Sequence, residues 1–288
     1  MANQKTRKST THIALIWRRL RRNKIAVFGF LLITLYVVAA IFAPVLAPYD
    51  PTEQDLSLSL APMSSEHWLG CDDFGRDILS RIIYGARTSL IIQLTSVVIA
   101  LFVGVFLGAV GGYFGGWIDE VIMRFMDIML AFPGMLLALA IVAMLGPNLT
   151  NLIIAIGIYS VPQFARITRG SVISVKQNDY VTAARAIGET DNSIIWHYVL
   201  PNAISPIIVQ TSLRMATVLL TAAGLGFLGL GVQPPTAEWG TMLSSARIYL
   251  RSAPHVAIIP GLCIMLVVLG FNFLGDGLQD ALNPRLKE

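Results

Sequence analysis

Residues 178–201 read NDYVTAARAIGETDNSIIWHYVLP. This stretch is too polar to cross a bilayer, yet its apolar residues recur at helical spacing. Asp179 is a good N-cap, and Tyr180 to Ile187 is a run of good helix formers. Gly188 suits the left-handed stop at a helix C-terminus. Asp191 caps a second predicted helix over 192–200, and Pro201 precedes the next apolar run. Ala183, Ala184 and Ala186 present a small-residue surface that another body could approach closely. These residues leave two readings open: a docking element for a partner, or a connector that folds back on its own bundle.

Working outward, apolar runs flank the stretch at 151–167 and 202–232. Others lie at 25–47, 86–110, 118–145 and 255–274. A helix crossing the ~30 Å hydrocarbon core needs about 20 such residues. Composition agrees: 55% of the 288 residues are hydrophobic and 13% are charged, against about 25% charged in a soluble domain. That excludes a disordered chain, a secreted disulfide scaffold (the cysteines are Cys71 and Cys263 only) and an ordinary cytosolic enzyme. The predicted fold class is an all-α integral membrane protein with six transmembrane helices. Its segments are a basic interfacial helix within 1–24, a first span at 25–47, an external loop at 48–85, and a five-span domain at 86–288 carrying the polar insert 168–201. The run at 25–47 is too long for the core of a signal peptide and is read as a retained span. The loop 146–150 is so short that the third and fourth spans form a hairpin. Pro133 and Pro162 are expected to kink or interrupt those spans.

Charge sets the orientation. Residues 1–24 hold eight Lys or Arg and no acid, and the loop 48–85 holds seven acids. With the N-terminus inside, the inner segments carry fourteen Lys or Arg against four outside (Arg76, Arg81, Arg247, Arg251). Both termini and the insert are therefore expected to be cytoplasmic. The net charge of +4 reflects this distribution rather than a nucleic-acid partner.

Catalytic motifs are missing. There is no phosphate loop, no H-E-x-x-H and no G-x-S-x-G. His12, His67, His197 and His255 are scattered, so no metal or cofactor is expected and the chain is not expected to be an enzyme. An ion-coupled secondary transporter, the alternative reading, needs ionisable groups near the midplane. Asp119, Glu120 and Asp127 instead lie at one end of the third span, where Glu120–Arg124 and Arg124–Asp127 have the spacing of helical ion pairs. Only Arg214 sits mid-span, which marks it as lining a pathway or a subunit interface. Gly104, Gly108, Gly112 and Gly116 recur every fourth residue, a face for close helix packing within the subunit. Met123, Met126, Met129 and Met135 are read as packing residues, and Trp196 and His197 as interfacial anchors.

Residues 182–188, TAARAIG, followed by Leu200-Pro201, resemble the E-A-A-x-x-x-G…L-P loop of permease subunits of bacterial ABC importers. Thr182 stands where that family has Glu. The segment 68–90, WLGCDDFGRDILSRIIYGARTSL, is similar to the one preceding the second span in dipeptide, oligopeptide and nickel permeases, with Cys71 in place of a usual Thr. So are GFLGLG at 226–231, Gln233-Pro234-Pro235-Thr236, Glu238-Trp239-Gly240, the ending GDGLQDALNPR at 275–285 and the start WRRLRRNK at 17–24. The likeness covers nearly the whole chain and is strongest to the "C" permease of dipeptide systems. It implies a type I ABC importer permease fold in the bacterial inner membrane. It also implies a homologous second permease, two ATPases that use ATP and Mg, an extracytoplasmic binding protein, and di- or oligopeptides or a related small solute as cargo. On this resemblance Tyr180, Thr182, Ala183, Ala184, Arg185, Ile187, Gly188 and Glu189 form the ATPase-coupling element.

Overall fold

A computed structural model describes residues 12–282, with side chains described from residue 17 onward. The basic residues Lys5, Arg7, Lys8, Arg285 and Lys287 lie outside the described residues. Those described are helical, without strands. The helices are α1 (His12–Arg22), α2 (Lys24–Ile41), α3 (Ala43–Leu46), α4 (Ile78–Phe114), α5 (Gly116–Ala131), α6 (Gly134–Leu145), α7 (Leu149–Lys176), α8 (Asp179–Ala186), α9 (Asp191–Ser193), α10 (Leu200–Phe227), α11 (Trp239–Ala246) and α12 (His255–Leu282).

By length and composition α2, α4, α10 with its lead-in, and α12 could cross a membrane, and the pair α5/α6 makes a fifth candidate if it counts as one span. The apolar run at 118–145 is broken, because Phe132 is extended and Pro133 can donate no hydrogen bond; α5 and α6 meet there at 88°. Pro162, in contrast, sits inside α7 without ending it. The expected fourth span at 151–167 is the first part of α7, which continues to Lys176. α4 is also longer than its apolar centre: its 37 residues reach about 55 Å at 1.5 Å per residue, so it projects well past a ~30 Å core.

The most extensive helix contact joins α4 to α7, and glycines allow it. A Cβ on Gly104 would sit 2.5 Å from the Phe164 Cβ, one on Gly108 2.3 Å from the Ala165 carbonyl oxygen, and one on Gly112 2.9 Å from that of Arg169. Gly116 differs from the other three. It begins α5 with nothing within 4 Å of its Cβ position, so the packing face stops at Gly112.

Polar side chains tie the remaining helices in. The buried Gln93 amide of α4 accepts a 2.6 Å bond from the Tyr36 hydroxyl of α2 and donates to the Met215 carbonyl of α10 at 2.9 Å. Both ends of the amide are thus satisfied in an apolar core. At one end of the bundle, Asp72 accepts from the backbone N–H groups of Phe74 and Arg76 and from Arg76 Nε at 2.7 Å, with Arg81 Nε 3.3 Å away. Asp77 caps α4 through Ser80 and contacts His67 Nδ1 at 3.0 Å. Glu238, fully buried, caps α11 through the N–H groups of Gly240 and Thr241, and burial pushes its carboxyl up. Cys71 is buried beside these carboxylates, and burial first and Asp77 next push its thiol up to about 11. It is therefore a protonated packing residue at neutral pH.

Gly108→Val should overpack the α4–α7 contact by about 1–3 kcal/mol and lower the Tm of the detergent-solubilised protein. Gly170→Ala, on the same helix pair but with nothing near its Cβ position, should leave the Tm unchanged or slightly raised.

Candidate coupling insert and buried arginine

Residues 168–176, expected in the insert, belong to α7, so the insert begins only after Lys176. Asn178, not Asp179, is the N-cap residue of α8, and its side chain makes no capping bond. Asp179 instead occupies the first turn, where a carboxylate meets the positive end of the helix dipole. Val181 and Ala184 turn inward and are buried, whereas Tyr180, Thr182, Ala183, Arg185 and Gly188 are exposed and Ile187 is 77% exposed. Glu189 is half-buried, and its N–H closes the helix end on the Ala184 carbonyl at 3.2 Å. Gly188 has a φ of +87°, a conformation that costs an L-residue with a Cβ roughly 1–2 kcal/mol. The insert therefore shows a turn with exposed apolar and cationic groups, held from beneath by two small side chains.

The second half departs from the sequence reading. Thr190, not Asp191, is the N-cap, with its Oγ1 accepting from the Ser193 N–H at 3.4 Å. No break separates a second insert helix from the next span: helix runs through from Asp191 to Phe227. Ile194–Val199 forms a π turn between α9 and α10. The wider i→i+5 pattern lets Pro201, which has no N–H, enter the first turn of α10 without ending the helix. Trp196 of this turn is exposed.

Asp191 is used elsewhere. Its Oδ1 accepts from the Tyr113 hydroxyl of α4 at 2.5 Å. Lys176 Nζ donates to the Tyr113 carbonyl oxygen, and the Lys176 and Arg185 charges lie 5.2 and 5.3 Å from the Tyr113 ring centre. Ala109, Tyr113, Val172, Val181, Ala184, Ile194, Ile195 and Val199 form a small core of their own beneath the insert.

Two ion pairs join α5 to α7. The Arg169 fork meets Asp119 with both bonds at 2.6 Å, and Arg166 reaches Asp127 at 2.7 Å. The expected Arg124–Asp127 pairing is not formed, because Asp127 is taken by Arg166 from the neighbouring helix. Arg124 instead lies 3.8 Å from Glu120, both largely exposed, so this contact adds little. Met126 is buried in the main core and Met123 and Met129 pack against it; Met135 is half exposed, with its Cε against Gly224.

Arg214, on α10, is 5% exposed. Its Nη1 donates to Thr217 Oγ1 at 3.2 Å, and its guanidinium carbon lies 5.2 Å from the centre of the Tyr159 ring. Among the described residues, Nε and Nη2 have no partner. The Tyr159 hydroxyl is 3.0 Å from Thr221 Oγ1. A guanidinium in a helix bundle with no carboxylate against it is a costly arrangement. Among the described residues no three His, Cys, Asp or Glu side chains form a group able to hold a metal.

The described residues thus form an apolar helix bundle with a polar helical insert at one end. The same fold occurs in inward-facing structures of the MetNI methionine ABC transporter (TM-score 0.59, 17% identity, 70% of this chain and 96% of that one) and in an amino acid ABC transporter (TM-score 0.54, 19% identity, 69% and 92%). The profile of the binding-protein-dependent transport system inner membrane components matches residues 100–288, and that of the N-terminal TM domain of oligopeptide transport permease C matches residues 11–62. Similar proteins include the dipeptide transport system permease protein DppC of Alkalihalophilus pseudofirmus (52% identity, 94% of this chain, 89% of that one). Others are the di/tripeptide permease protein DppC of Pseudomonas aeruginosa (51%, covering 94% and 91%) and the glutathione permease protein GsiD of Pectobacterium atrosepticum (47%, covering 94% and 90%). The chain belongs to the family of binding-protein-dependent transport system inner membrane components. It is a multi-pass permease subunit of the inner membrane, a transport component and not an enzyme, of a kind that works with ATPase and substrate-binding partners. Nothing in these likenesses favours an ion-coupled transporter.

Sequence reasoning missed Tyr113, Asp191 and Lys176 as one cluster. The available signal was a tyrosine directly after the Gly104–Gly108–Gly112 face, at the end of an apolar run.

Proposed function

We propose that this chain is one of two homologous permease subunits of an ATP-driven importer for di- or oligopeptides or a glutathione-like solute. It would have six spans, with α7 as the fourth, and both termini and the insert in the cytoplasm. The observation that carries this reading is the insert: α8 and the Gly188 turn expose Tyr180, Thr182, Ala183, Arg185 and Ile187 while the underside is anchored to α4. An exposed, anchored helix end can receive a rigid-body shift from an ATPase and pass it to the bundle. The lysine and arginine bias and the counterpart folds in ABC importers support the topology. The names of the relatives support the cargo class, and an external binding protein would deliver it. Binding of ATP would close the ATPases and open the spans outward, and nucleotide release would return them.

Gly188→Val should uncouple: the intact importer should keep hydrolysing ATP while uptake falls by about tenfold or more, since a Cβ penalises the left-handed turn beside Ile187 by about 1–2 kcal/mol. Normal uptake per ATP in a reconstituted importer would remove the insert from the mechanism.

Arg214 is our candidate for the pathway, where its unpartnered nitrogens would meet the carboxylate of a passing solute. Arg214→Gln should reduce uptake of free-acid peptides relative to their C-terminal amides by about tenfold, the size of one charge-assisted hydrogen bond. An unchanged acid-to-amide ratio in a competition assay would assign Arg214 a purely structural role.

A further inference from the structure

We propose that Tyr113 is the transmission residue of this permease, the side chain through which a shift of the insert reaches the bundle. The inference rests on α8 being the ATPase-facing element. Three helix ends converge on this residue: Lys176 closes α7, Arg185 lies in the last turn of α8, and Asp191 opens α9. Their holds overlap: Lys176 donates to the backbone carbonyl, Lys176 and Arg185 lie near the ring, Arg185 also bonds the hydroxyl, and Asp191 accepts from it.

A ring needed only for packing would require no hydroxyl, and phenylalanine would serve. Here the residue is 2% exposed, and its one polar side-chain atom is engaged by a carboxylate of the insert. The other ties between insert and bundle are apolar contacts of Val181, Ala184, Ile194, Ile195 and Val199, which are non-directional and can slide. The Tyr113–Asp191 bond and the Arg185–ring contact are directional. They fix the position of α8 and α9 relative to the end of α4.

The chain just beyond Tyr113 is suited to transmission. After Phe114 come Gly115 and Gly116, with φ of +69° and +55° and nothing within 4 Å of either Cβ position. The chain then enters α5, whose Asp119 is locked to Arg169 of α7. A displacement of Tyr113 therefore acts on a stiff helix on one side and on a glycine hinge on the other. In this geometry α4 and α5 are the first elements of the bundle to move.

The test uses the full importer, with partner permease, ATPases and binding protein, reconstituted in liposomes. The probes are radiolabelled dialanine and glutathione, taking whichever the wild type accumulates. Tyr113→Phe keeps the ring and its packing, so the complex should assemble with wild-type yield and a Tm only slightly lowered by the lost bond. We expect ATP hydrolysed per solute accumulated to rise about tenfold, the worth of one charge-assisted hydrogen bond. Asp191→Ala, which removes the acceptor, should give a similar rise, and the double variant no more than either single change, because both break the Tyr113–Asp191 bond. Gly188→Val is the control for the underlying reading. If Gly188→Val uncouples while Tyr113→Phe keeps the wild-type ratio, Tyr113 is not the transmission residue and the insert stands. If Gly188→Val stays coupled, the reading of the insert falls and this proposal with it. A proportional loss of uptake and hydrolysis in Tyr113→Phe, with an unchanged ratio, also overturns it.

Discussion

The close approach of α4 and α7 is the constraint on which the rest of this structure depends. It exists because Gly104, Gly108 and Gly112 place backbone where side chains would otherwise stand. Lipid tails are as apolar as leucine, so burying leucine gains little inside a membrane. What holds helices together there is contact at short range and satisfied polar groups. The glycine face supplies the first and carries the contact to the last turns of both helices. Only because those turns lie side by side can Lys176 reach the Tyr113 carbonyl and the insert find a floor of Ala109, Tyr113 and Val172.

Polar chemistry is distributed unevenly over this scaffold. Between the helices it is sparse: the Tyr36–Gln93–Met215 chain satisfies both ends of the amide, while the Ser89 and Thr168 hydroxyls find no partner among the described residues. At the α5–α7 face it is ionic, through Arg169–Asp119 and Arg166–Asp127. Arg214 stands apart because it carries a charge, with two nitrogens unpartnered among the described residues. A charge that the fold leaves uncompensated is where an external anion has the most to contribute, and this singles out Arg214 among the bundle's charges.

Much of this was legible in the sequence. The apolar runs located the long helices, and the four-residue glycine spacing located the packing face as far as Gly112. Gly188 declared its left-handed turn, and Thr182 to Gly188 with Leu200-Pro201 declared the family. What could not be read depends on distant partners. Asp127 and Arg124 have a helical pairing distance, but Arg166 of another helix arrives with better geometry. Asp191 looks like a cap by local rules, yet Thr190 caps and Asp191 bonds across to Tyr113. Pro162 and Pro201 are local breakers that the bundle and the π turn absorb, while Pro133, with an extended residue before it, does break its helix. Proline alone does not tell these cases apart.

The central claim is that the exposed side of α8 receives a partner ATPase. A photo-crosslinking amino acid placed at Ile187, which is 77% exposed, can be compared in native membranes with one at Val181, which is 1% exposed. The account predicts that irradiation at Ile187 captures an ATP-binding subunit and that irradiation at Val181 yields only adducts within this chain. Absence of an ATPase adduct at Ile187, or equal capture at both positions, would contradict it.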